Sequence, residues 1–137
     1  MYTALDVETF PIKQGVLDPK VVCCSFSDPK IVIGNTIKEN LEGFLSDTLS
    51  TKRIIGHNIA FDMACIMKSY PKLTNIIFKA YEEKRVHDTF IREKLINLGI
   101  HGSIDTLAKT RINYSLAGLA MSRLGVDLSD TKESNIR

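Results

Sequence analysis

The sequence predicts an α/β domain in which an antiparallel meander and one parallel strand form a mixed sheet flanked by helices. Short β-branched runs separated by turn residues fill the first third of the chain, and helical patterns fill most of the rest. One strand pattern lies between two helical patterns, which is typical of a parallel crossover. The 137 residues suffice for a single domain, over 1–137, with a substantial core.

The first three strands are predicted from apolar runs that end at turn residues. They lie at residues 2–8, 21–26 and 31–33, and Gly34 closes the third. Prolines near both ends of the segment 10–19 predict a turn between the first two strands. Because the connections are short, we expect neighbouring strands to pair as an antiparallel meander.

Helical spacing begins after the third strand. The capping-box pattern Thr36-x-x-Glu39 predicts a helix over about 36–48. The β-branched run at 52–56, which ends in glycine, predicts a fourth strand that leads directly into the next helix. Since helices precede and follow this strand, we expect it to lie parallel to the first.

The second predicted helix follows His57, with Asn58 as its N-cap, and ends at Pro71. Its apolar stripe consists of Ile59, Met63, Ile66 and Met67. Further helices are predicted over residues 74–84, from Asp88 or Thr89 to Gly99, and from Leu116 to Leu124. The polar segment 126–137 has no periodicity and is predicted to be a linker or a frayed end.

Composition and charge say little about partners. The chain has 18 basic and 16 acidic residues, so attraction to nucleic acid must come from local patches or from bound metal. We expect an intracellular, cytoplasmic protein without a membrane partner, because no signal peptide or long apolar run is present. The three cysteines have no Cys-x-x-Cys spacing, so we expect reduced, buried thiols and no zinc site.

Two carboxylates lie two residues apart in the first strand. Asp6 and Glu8 project from the same face, because side chains alternate along a strand. Two like charges aimed at one region repel each other unless a cation lies between them. Oxygen ligands are the ones that Mg²⁺ and Mn²⁺ prefer, so the pair predicts a divalent metal site.

A third carboxylate is predicted in the helix that follows the fourth strand. Asn58 and Asp62 are four residues apart, so they share one helix face. The parallel crossover would bring that face beside the first strand. Asp62 then completes a group with Asp6 and Glu8; the alternative is an ordinary solvent-exposed helix position.

These motifs resemble those of a known enzyme superfamily. Asp6-Val7-Glu8-Thr9 and Asn58-x-x-Phe61-Asp62 look like the first two motifs of the DEDD superfamily of 3′ to 5′ exonucleases, whose domains have an RNase H-like fold. The stretches 86–95 and 115–125 are similar to the proofreading domain of family A DNA polymerases, especially phage-type ones. The resemblance covers nearly the whole chain, and the motifs agree in order, spacing and context.

The resemblance implies a two-metal hydrolysis at the 3′ end of a DNA strand, with two Mg²⁺ or Mn²⁺ ions as cofactors. By this analogy Asp6 ligates both ions, Glu8 ligates the ion that activates the attacking water, and Asp62 holds the second ion. The implied partners are a single-stranded DNA 3′ end and a polymerase domain on the same parent chain. These roles agree with the general chemistry of paired metal ions.

The resemblance also implies a set of nucleic-acid contacts around the metal site. Thr9 and Phe10 would contact the terminal nucleotide through backbone groups and an apolar wedge, and Asn58 and Phe61 would line the same cleft. His57 has two interpretations, a phosphate contact or a polar cap at the helix start. Asp88 is predicted to cap the helix that follows it rather than to bind metal.

A fourth carboxylate, required by the superfamily, is missing from its expected place. It belongs to a tyrosine-x-x-x-aspartate or a histidine-x-x-x-x-aspartate motif, and neither occurs towards the end of the chain. His101-x-x-x-Asp105 is one residue short of the histidine form. We expect a fragment that ends before its last helix, or alternatively a short protein that has lost catalysis. In both cases the 137-residue chain alone should be a weak nuclease.

Two other functions remain open at the level of sequence. The first is an RNase D-like exoribonuclease of the same superfamily, because recognition of the 2′-hydroxyl leaves no motif here. The second is a catalytically degenerate module that binds a nucleic-acid end or a protein partner.

Overall fold

The protein is described from a computed structural model that covers residues 2–28, 35–107 and 110–128. Contacts divide the chain into two compact units, one up to Thr89 and one from Phe90 onward. The folding of residues 1–137 as a single domain stays a prediction. Within the described ranges, no helix is long and apolar enough to cross a membrane.

The first unit contains a five-stranded mixed sheet. Its strands are β1 (Tyr2–Thr9), β2 (Val21–Ser27), β3 (Asn35–Ile37), β4 (Arg53–Gly56) and β5 (Val86–Asp88). They lie in the order β3-β2-β1-β4-β5. The pairs β1–β2 and β2–β3 are antiparallel, whereas β1–β4 and β4–β5 are parallel. This arrangement confirms the predicted mixed sheet, including the parallel fourth strand.

Three α-helices of the first unit supply the core that packs against the sheet. They are α1 (Leu41–Thr51), α2 (Ile59–Ser69) and α3 (Thr74–Glu82), with a short 3₁₀ turn at Pro71–Leu73. Along β1 the odd positions from Thr3 to Val7 are buried and the even positions are exposed, as expected for a strand with one packed face. The predicted stripe of α2 is confirmed, since Ile59, Met63 and Ile66 are at most 1% exposed. The core therefore fixes α2 relative to β1.

The region between β2 and α1 differs from the sequence prediction. The predicted strand 31–33 lies outside the described residues, and Thr36 belongs to β3, where it pairs with Ser25. The helix predicted over 36–48 is wrong at its start, because α1 begins at Leu41 and runs to Thr51. The capping-box pattern fails because β-branched Thr36 extends the ladder of β2 instead of ending a loop.

Strand β5 has no counterpart among the predicted elements. It is three residues long and pairs in parallel with β4, so it is too short for a periodic pattern. Arg85, just before it, donates from Nη1 to the carbonyls of Leu49 and Lys52, both at 2.7 Å. These bonds tie the start of β5 to the end of α1.

The described residues of the second unit form two helices and a pair of short antiparallel strands. Its elements are α4 (Thr89–His101, whose first residue belongs to the first unit), β6 (Thr106–Leu107), β7 (Thr110–Arg111) and α5 (Leu116–Leu124). The predicted last helix is confirmed: Ser115 accepts a hydrogen bond from the Gly118 amide, and Gly125 ends the helix at φ 65°. Residues 125–128 carry no helix or strand, and residues 129–137 of the predicted linker lie outside the described ranges.

A glycine at the end of β4 permits the tight turn into α2. A Cβ atom built on Gly56 would lie 2.3 Å from Cδ1 and 3.1 Å from Cβ of Ile59, whose side chain is fully buried. We expect Gly56→Ala to lower the free energy of unfolding by about 1–3 kcal/mol, measured by urea denaturation.

The matched control for this prediction is Gly99→Ala in α4. Nothing lies within 4 Å of a Cβ built there, and the position is helical. Its expected effect is a gain of roughly 0.5–1 kcal/mol from helix propensity. Equal stabilities of the two variants would contradict the steric account of Gly56.

Candidate active site

Strand β1 presents Asp6 and Glu8 on its exposed face, as the sequence predicts. Partial burial raises the pKa of Asp6, and the negative charge of Glu8 raises it further. A positive charge on His57, in the turn before α2, lowers the pKa of the same carboxyl. Two elements, β1 and the turn before α2, therefore meet around Asp6.

Asp62 is buried in the first turns of α2 and faces β1. Asp62 is only 4% exposed, and its Oδ1 accepts a hydrogen bond from the Val7 amide at 3.0 Å. Val7 lies between Asp6 and Glu8 in the strand, so all three carboxylates belong to one region of the molecule. The alternative of a solvent-exposed helix position for Asp62 is wrong.

The sheet register explains why Asp62 reaches Val7. Strand β4 pairs with β1 only from Tyr2 to Ala4, so the later part of β1 extends beyond the end of β4. An amide there that points away from β2, towards the β4 side, lacks a strand partner and needs another acceptor. The Asp62 carboxylate, on the helix that follows β4, supplies it.

Burial raises the pKa of Asp62 to about 6. The hydrogen bond from Val7 opposes this rise, whereas the negative charges of Asp6 and Asp88 add to it. Among the described residues, no lysine or arginine forms an ion pair with Asp6, Glu8 or Asp62. The cluster is therefore short of positive charge.

The chemistry of this donor set suits a hard divalent cation, because all three side chains offer carboxylate oxygens and two of them have raised pKa values. The side chains are not arranged as a finished site, however. In the described part of the chain, no group of three or more His, Cys, Asp or Glu side chains is placed to hold a metal ion.

The predicted nucleic-acid residues are close to these carboxylates in the chain. Thr9 ends β1 and donates from Oγ1 to the Phe10 carbonyl at 3.0 Å, and the Phe10 side chain is 59% exposed. Phe61 is partly buried and packs against the hydrophobic core. Asn58 is exposed with φ 60° and occupies the predicted N-cap position of α2, but its side chain makes no cap bond. His57 lies in the turn before α2 with Nδ1 3.0 Å from Thr89 Oγ1.

Asp88 provides the cap that Asn58 does not. Its Oδ1 accepts from the Asn58 amide at 3.1 Å and its Oδ2 from the Ile59 amide at 3.0 Å. Asp88 ends β5, where it pairs with Gly56, and directly precedes α4, so its predicted role as the cap of that helix stays a prediction. This register brings it to the start of α2, and only knowledge of strand β5 could have revealed the contact.

A pH dependence of stability follows from the raised pKa of Asp62. A carboxyl group whose pKa rises on folding contributes stability that is fully present at pH values below its unfolded pKa, near 3.8. This stability is lost as the pH rises through its folded pKa, about 6. Asp62→Asn keeps an acceptor for Val7 without the charge. We expect the metal-free variant to gain about 1–3 kcal/mol at pH 7.

The measurement is urea denaturation of both proteins with chelator at pH 4 and pH 7. The stability difference between parent and Asp62→Asn should be small at pH 4 and larger at pH 7. A difference that does not change between these pH values would contradict the raised pKa.

Comparisons with known proteins bear on the fold. No family model and no curated protein sequence matches the chain. The crystal structure of the Aedes aegypti Nibbler EXO domain matches with a TM-score of 0.61 and 12% sequence identity. The match covers 98% of this chain and 63% of that chain. At this identity the likeness concerns the fold alone, and it confirms the RNase H-like, mixed-sheet fold of an exonuclease domain.

Proposed function

We propose that this chain is a 3′ to 5′ exonuclease domain that acts on single-stranded DNA, as the proofreading part of a DNA polymerase. The observation that carries the proposal is the hydrogen bond from Val7 to Asp62, because it holds the helix carboxylate beside Asp6 and Glu8. The exonuclease-type fold and the resemblance of the two motifs support the same reaction class.

Asp6, Glu8 and Asp62 would hold two Mg²⁺ or Mn²⁺ ions. The Asp6 and Glu8 side chains are exposed, so they are free to rotate towards Asp62, which the Val7 bond fixes. Divalent cations bound there would supply a water of lowered pKa and neutralise the entering and leaving oxygens of the phosphodiester. The protein contributes the fixed acidic group and needs no covalent nucleophile.

The end of β1 would bind the 3′-terminal nucleotide. Phe10 offers an exposed ring on which a base can stack, and Thr9 lies between that ring and Glu8. Asn58 and His57 lie just before α2, the helix that carries Asp62. Stacking and phosphate contacts tolerate any base, as a proofreading enzyme requires.

A degenerate module that binds nucleic-acid ends is the second candidate. Two observations favour it: the third motif is missing from the expected place, and the described residues contain no preformed metal group. Such a module would bind a single strand equally well with metal or with chelator.

The test uses 5′-labelled DNA and RNA single strands of one sequence, incubated with the chain and Mn²⁺. The proposal predicts slow shortening from the 3′ end, with DNA cut at least as fast as RNA, and no shortening by Asp6→Ala. Faster cutting of RNA would overturn the polymerase assignment. Binding without any cutting, indifferent to metal, would support the degenerate module.

A further inference from the structure

The first turn of α2 is held by strand β5 rather than by its own N-cap. Asn58 has φ 60° and makes no side-chain cap bond, whereas both oxygens of Asp88 accept backbone amides, from Asn58 and Ile59. The first amides of a helix have no partner within it, and they form its positive end. A carboxylate that accepts two of them fixes both the position and the direction of the helix start.

Thr89 adds two bonds to the same turn. Its Oγ1 donates to the Gly56 carbonyl at 3.0 Å and lies 3.0 Å from Nδ1 of His57. A hydroxyl has one proton, and Thr89 gives it to Gly56, so His57 Nδ1 must carry the proton of the second bond. The His57 ring is thereby fixed in one orientation, with its proton on Nδ1.

We propose that Asp88 and Thr89 are positioning residues for the metal-binding carboxylate Asp62. Asp62 lies three residues after Ile59, whose amide Asp88 accepts. The place of this first turn decides whether the Asp62 carboxylate reaches Val7, between Asp6 and Glu8. The role of Asp62 as a ligand rests on the proposed function, whereas its placement does not.

Because α2 has a buried stripe, a positioning role of Asp88 can be distinguished from a general contribution to stability. Ile59, Met63 and Ile66 are almost fully buried and hold the body of the helix on the sheet without help from Asp88. Loss of the Asp88 carboxylate should therefore shift the first turn while the helix stays packed. The local signature is a weakened bond between Asp62 and the Val7 amide.

The first experiment needs no metal. Hydrogen exchange of backbone amides is measured by NMR in the parent and in Asp88→Ala, with chelator present. We expect the Val7 amide to exchange about tenfold faster in the variant, beyond any change shared by the other β1 amides. Exchange at Val7 that changes only in step with its β1 neighbours would overturn the positioning role.

The second experiment measures Mn²⁺ affinity of the same proteins by calorimetry. Asp88→Ala should weaken binding by roughly tenfold, the usual size for loss of a group that orients a metal ligand. Asp88→Asn keeps one acceptor oxygen, so its Mn²⁺ affinity should lie between that of the parent and that of Asp88→Ala. If Asp88→Ala does not fold, Asp88→Asn and Thr89→Val carry both measurements.

Ser115→Ala is the matched control, because it removes a helix cap of the same kind from α5. Neither Val7 exchange nor Mn²⁺ affinity should change in it. A parent chain that binds no Mn²⁺ would overturn the proposed function, and Val7 exchange would still decide the positioning role. Unchanged exchange and affinity in folded Asp88→Ala would overturn that role.

Discussion

Replacing Asp6 by alanine is expected to abolish the rise in melting temperature that Mn²⁺ produces in the parent chain. Asp6 interacts electrostatically with both Glu8 and Asp62, so it is central to the cluster. A ligand at one hundred times its dissociation constant stabilises the native state by about 2.7 kcal/mol. For a chain of this size, with an unfolding entropy of about 2.1 cal/mol/K per residue, that corresponds to a rise of roughly 9 °C. The rise is measured by circular dichroism melts of each protein with Mn²⁺ and with chelator.

The control for this loss is Asp47→Ala. Asp47 is an exposed acidic residue on α1, and its removal changes the net charge by the same amount. This variant should keep the full effect of Mn²⁺. An equal rise in Asp6→Ala and in the parent would show that the ion binds elsewhere.

Replacing Ile66 by alanine is expected to give the largest loss of stability, about 2–5 kcal/mol. Ile66 has no exposed surface and lies one turn after Asp62 on α2. Its truncation leaves a cavity beneath the helix that carries the third carboxylate. The free energy of unfolding from urea titrations measures the loss.

Leu95→Ala in α4 is the comparison for Ile66→Ala. Leu95 is 61% exposed, so its truncation should change the free energy of unfolding by no more than about 0.5 kcal/mol. Losses of equal size in the two variants would contradict the placement of Ile66 in the core.

Local periodicity was enough to predict the elements that carry the carboxylates. The alternation of β1 puts Asp6 and Glu8 on one face, and the stripe of α2 identifies its buried side. Placing Asp62 near them needed only one further rule, the parallel crossover from β4. Its direct bond to the Val7 amide was not predictable, because it depends on where the pairing of β4 with β1 stops.

The wrong predictions arise where long-range pairing outweighs a local pattern. Thr36 fits a helix cap in the sequence, yet the ladder with β2 places it in a strand. For Asp88 the local pattern predicts a cap for its own helix and does not indicate its bonds to α2. Its partners, Asn58 and Ile59, lie 30 and 29 residues away and become neighbours only through the three-residue strand β5. No local signal in the sequence contains that information.

The most direct test of the metal site is an NMR titration of the ¹⁵N-labelled chain with Mn²⁺, whose unpaired electrons broaden nearby amide signals. If the three carboxylates bind the ion, the amides of residues 6–8 and 61–63 broaden first. Broadening that begins at acidic residues elsewhere, and spares Asp6, Glu8 and Asp62, would contradict the assignment of these three carboxylates as the metal-binding centre.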